Sequence, residues 1–110
     1  MSIDLKSPLN IFVRHMCEML DAISDPDTER LPNDLSSANL IPYSMKDDLI
    51  STKGLSRHQK ASILLNEIHR SLRRTNKPEI LETFSDVLMK QENPALTRIA
   101  DHMLEELDLC

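Results

Sequence analysis

A chain of 110 residues with a formal net charge of −5 is the size of one domain, large enough to bury a core and too short for two. Aromatic residues make up 3% of it (Phe12, Tyr43 and Phe84), so the interior must come from Leu, Ile, Met, Val and Ala, which favours an all-α class. A single glycine excludes a glycine-rich phosphate loop, two cysteines exclude a disulfide scaffold, and no stretch approaches the length needed to cross a bilayer.

The opening Met-Ser-Ile-Asp-Leu-Lys has no basic segment followed by an apolar run, so the cytosol is the expected compartment. Ser7-Pro8 reads as a cap and first residue, because proline lacks an N–H that the first turn leaves unpaired anyway. Leu9, Phe12, Val13, Met16, Leu20 and Ile23 then keep a helical period to a predicted end near Ser24, with Asn10, Arg14, Glu18 and Asp21 opposite. Cys17 falls within this pattern as a buried or half-buried thiol, and nothing local to it or to Cys110 lowers a thiol pKa.

Residues 25–32 are polar and carry two prolines, which predicts a connection, followed by a short helix over 33–39 that buries Leu35 and Ala38. After the break at Ile41-Pro42, a third helix over 43–51 turns Met45 and Leu49 inward and Lys46, Asp47 and Asp48 outward. Gly54 lies just past its end, where a left-handed residue is cheapest as glycine. Ser56 and Gln59 form a capping box that opens a fourth helix to about Arg74, with Ala61, Leu64, Leu65, Ile68 and Leu72 inside.

Lys77-Pro78 and Asn93-Pro94 start the last two helices, over about 78–90 and 94–107. The fifth buries Ile80, Leu81, Phe84, Val87 and Leu88, and the sixth Leu96, Ile99, Ala100, Met103 and Leu107. Six helices with tight links make an antiparallel bundle over about residues 8–107, one domain spanning 1–110.

The order of these elements resembles a caspase recruitment domain of the death-fold superfamily. The residues that carry the resemblance are the long first helix, Leu40-Ile41-Pro42 leading into a third, the Leu49 to Gly54-Leu55-Ser56 corner, Leu72-Arg73-Arg74, and the Pro78, Phe84, Leu88 helix. It covers about residues 9–107 and implies a six-helix Greek-key fold, with death, death effector and pyrin domains as the nearest relatives of that arrangement. It also implies a non-catalytic adaptor without cofactor. Such an adaptor binds copies of itself or other caspase recruitment domains and builds homo-oligomers or filaments in apoptotic or innate-immune signalling.

Charge is segregated along the chain. Residues 56–77 hold Arg57, Lys60, Arg70, Arg73, Arg74 and Lys77 against Glu67, a balance of +5. Residues 18–48 hold Glu18, Asp21, Asp25, Asp27, Glu29, Asp34, Asp47 and Asp48 against Arg30 and Lys46, a balance of −6. The resemblance implies an interface joining Arg14, Arg57, Lys60 and Arg73 to Asp34, Asp47 and Asp48, and Arg74 completes the candidate set. The competing reading is an ordinary solvated surface with pairs such as Glu67 with Arg70 or Arg14 with Glu18.

Other chemistry has little support. A nucleic-acid surface would need stacking aromatics beside the basic run and a chain less acidic overall. A calcium loop starting at Asp25 would need glycine and a bidentate acid where Arg30 and Ser36 stand. His15, His58, His69 and His102 are scattered, two of them eleven residues apart on the fourth helix, and form no metal or nucleophile motif, so no metal and no catalysis are expected.

Overall fold

The computed structural model describes residues 7–51 and 54–108, and Cys110 lies outside them. Among the described residues the chain is all helical and without strands: α1 (Pro8–Ala22), α2 (Asp25–Ser37), α3 (Tyr43–Ser51), α4 (Arg57–Thr75), α5 (Pro78–Met89) and α6 (Pro94–Asp108). α1 lies against α4, α5 and α6; α2 lies against α3, α4 and α5; and α5 runs along α6. One buried cluster joins them, with Phe12 meeting Phe84 edge-on at a centroid distance of 5.6 Å.

The helix starts follow the local chemistry of the chain. Ser7 Oγ accepts from the Asn10 N–H at 3.3 Å, and proline occupies the first turn of α1. At α4 the capping box is complete: Gln59 N–H donates to Ser56 Oγ at 3.1 Å, and Ser56 N–H to Gln59 Oε1 at 2.8 Å. Gly54 adopts φ +91 in the corner before it, in the half of backbone space that a side chain disfavours.

Two expectations are corrected. Residues 25–32 are not a connection: α2 starts at Asp25, directly after Ile23-Ser24, and continues through Pro32. Pro26 falls in the first turn, where its missing N–H costs nothing, and Leu31 and Leu35, one turn apart, are both buried. Burial of these two side chains offsets the helical bond that Pro32 cannot donate.

The second correction concerns α1. Its innermost face runs through Ile11, Phe12 and Met19, whereas Val13 keeps 45% of its surface exposed and Cys17 is exposed. Leu9, Met16 and Leu20 are only half-buried at the margin of the core. His15 lies on the same stripe as Ile11 and Met19, and its Nε2 hydrogen-bonds Glu106 on α6 at 2.7 Å.

Three helix ends meet at one polar node. Asp27 is 3% exposed, and its Oδ2 accepts from Ser24 N–H at 3.0 Å, from Ser24 Oγ–H at 2.8 Å and from Asn93 Nδ2–H at 2.7 Å. The same Asn93 amide donates to the Ala22 carbonyl at 2.8 Å, while Asn93 Oδ1 accepts from Ala95 N–H at 3.0 Å. The end of α1 and the starts of α2 and α6 are thereby held together. Asp27→Ala removes the shared acceptor and leaves donors buried without partners, so it is expected to lower the unfolding free energy by about 3 kcal/mol in urea titration.

Candidate functional site

The sequence-selected charges divide into those the fold uses and those it leaves on the surface. Arg57 belongs to the first group. From the first turn of α4 its Nη1–H donates to the Ile23 carbonyl at 2.6 Å, where α1 has ended and its last carbonyls lack helical partners. Asp34 is likewise engaged, accepting at 2.7 Å from Nε2–H of Gln91, a residue only 2% exposed beyond the end of α5. Arg14 reaches Glu106 on α6, Nη1 to Oε1, at 2.9 Å.

The remaining candidates make no ion pair among the described residues. Asp47 and Asp48 stand exposed on α3; Arg73 and Arg74 stand exposed in the last turn of α4, and Lys60 is half-buried in its first. Arg73 and Arg74 sit at the helix end where its carbonyls point outward, so the macrodipole favours their charge there. Neither Asp47 nor Asp48 is bridged to Arg57 or Lys60, and the Gly54 corner separates the two groups in the chain. The intrahelical Glu67–Arg70 pair is present at 3.7 Å, beyond hydrogen-bonding distance.

Several exposed features were not selected from charge. Tyr43 opens α3 with 65% of its surface free and carries the Lys46 Nζ over its ring at 4.5 Å, a cation–π contact. Between α3 and α4 lies an open cleft of about 390 Å³, walled by Met45, Leu55 and Ile63 with Asp48 and Arg70 at its rim. Ile63 was legible in the sequence as an aliphatic residue off the 61, 64, 65, 68, 72 face of α4. The cleft itself was not, because it is made by two helices whose approach the periodicity of neither one sets.

No group of three His, Cys, Asp or Glu residues among those described could hold a metal ion, and no helix among them is long and apolar enough to cross a membrane. Comparisons of the chain with protein-family models, with curated proteins and with solved structures find no match.

The division of charges predicts different costs for neighbouring arginines. Arg57→Ala is expected to reduce unfolding free energy by about 1.5 kcal/mol through loss of the bond to Ile23, whereas Arg73→Ala stays within about 0.5 kcal/mol of the parent. Paired urea titrations of the two variants measure the difference.

Proposed function

We propose that this chain is a non-catalytic recruitment domain of the caspase recruitment kind, a single six-helix Greek-key domain that acts in the cytosol. In this reading it binds copies of its own fold, assembles into helical oligomers and needs no cofactor. The observation that carries the reading is the charge left over after the fold has used its share: Asp47 and Asp48 on α3 and Lys60, Arg73 and Arg74 on α4 have no internal ion pair among the described residues. The six helices, in the order and spacing given above, support the fold assignment.

Opposite charges on separate helices of one molecule allow head-to-tail pairing. Such contact is heterologous, and where the rotation between neighbours does not close, it propagates as a helix. Complementary charge raises the encounter rate and sets register, and like-charge approach penalises wrong orientations. With a screening length of about 10 Å at 0.1 M salt, association should weaken steeply as salt is added.

The bond from Arg57 to Ile23 makes Arg57 unsuitable as a probe of the interface, since its reversal disturbs α1 as well. Lys60 and Asp47 lack such duties. Lys60→Glu and Asp47→Lys are each expected to abolish self-association in light scattering at low salt. An equimolar mixture restores part of it, and both variants unfold at the parent's urea midpoint. Two folded single variants that assemble like the parent would overturn the reading.

A further inference from the structure

We infer that the cleft between α3 and the middle of α4 is a docking site for a segment of another protein that presents a lysine or arginine beside an aliphatic side chain. Glu67 is its anionic anchor. The starting point is a carboxylate in an unusual position: the Glu67 side chain is 12% exposed, yet it accepts no hydrogen bond among the described residues. Its one ionic neighbour, Arg70 Nη1, stands 3.7 Å away on a side chain that is itself 70% exposed.

The side chain is mostly covered, but its carboxylate oxygens keep contact with solvent and meet no hydrogen-bond donor among the described residues. Glu67 instead lines the α3–α4 cleft and a neighbouring groove of about 560 Å³ that meets it at Pro42 and Glu67. The oxygens therefore face open space rather than protein donors. That geometry is suited to a donor brought in from outside.

The surroundings define the rest of the ligand. Met45, Leu55 and Ile63 wall the cleft, Leu49 is buried behind them at 3% exposure, and Ile63 keeps 36% of its surface in the open. Apolar walls with a few placed polar groups are the usual makeup of a recognition site, and about 390 Å³ accommodates one aliphatic side chain and the stem of a lysine or arginine. Charge selects the cation: Asp48 and Glu67 against Arg70 leave this cleft with a net negative charge of one. Arg70 is 70% exposed and stands 3.7 Å from Glu67, too far for a hydrogen bond, so it swings aside at little cost.

This site shares Asp48 at its rim, and Arg74 on the adjoining groove, with the charges proposed for self-assembly, whereas Glu67 has no part in that pairing. The test is amide NMR of the full chain titrated with acetyl-Leu-Lys-Leu-amide, acetyl-Leu-Glu-Leu-amide and lysine amide. The first probe is expected to give saturable shifts at Met45, Leu55, Ile63, Glu67 and Arg70, about tenfold weaker in Glu67→Gln, as loss of a charged hydrogen bond implies. The glutamate probe and lysine amide should give none at matched concentration.

A structural role for Glu67 predicts a lower melting temperature for Glu67→Gln. The docking role predicts one equal to the parent's, because the Glu67 carboxylate makes no hydrogen bond that the fold depends on. The inference is overturned if the lysine peptide gives no saturable shift, if Glu67→Gln binds it equally, or if either control probe binds as well. Light scattering of Glu67→Gln, expected to match the parent, separates failure here from failure of the self-assembly reading.

Discussion

Helix ends, more than the core, decide how these six helices are arranged. An aliphatic interior rewards burial without direction, and side chains such as Leu, Ile and Met tolerate many mutual packings. Each helix, by contrast, leaves backbone donors at its start and acceptors at its end that must find partners in one place. Asp27 and Asn93 provide that place for three ends at once, joining the Ala22 carbonyl, the Ser24 N–H and the first turn of α6. Asn76 does the same at the other end of α1, where its Oδ1 accepts from Leu9 N–H at 2.9 Å while its backbone N–H bonds Leu72.

The same requirement divides the surface charge. Arg57 and Asp34 lie where a helix terminus or a buried amide needs a partner, so their charge is largely committed within the molecule. A group held in this way must first lose an internal bond before it serves a second molecule. Lys60, Asp47, Asp48, Arg73 and Arg74 carry no such commitment and are the charges a partner meets first. Glu67 is a third kind: its side chain is 12% exposed, and its carboxylate stands 3.7 Å from Arg70 without a hydrogen bond among the described residues.

Much of this fold was legible along the chain. Ser7-Pro8, Ser56 with Gln59, Lys77-Pro78 and Asn93-Pro94 marked four helix starts, because capping is chemistry between residues three apart. The inner face of α4 was equally plain, since Ala61, Leu64, Leu65, Ile68 and Leu72 make one uninterrupted stripe. Residues 25–32 misled because two prolines and four charges outweigh Leu31 when burial is unknown. On α1, Ile11, Phe12 and Val13 are consecutive and apolar, so periodicity permitted more than one face, and packing against α4, α5 and α6 decided between them.

The candidate site was legible only as a distribution of sign. Sequence by itself determined the helical class, most helix boundaries and the placing of a basic helix between acidic segments, all of which depend on residues within a few positions of one another. Tertiary structure alone decided which charges are committed to Ile23 or Gln91, which stay exposed, and that Glu67 opens into a cleft beside Met45, Leu55 and Ile63. Those outcomes depend on contacts between separate helices, and a helical pattern specifies which side of a helix is buried without specifying what meets its edges.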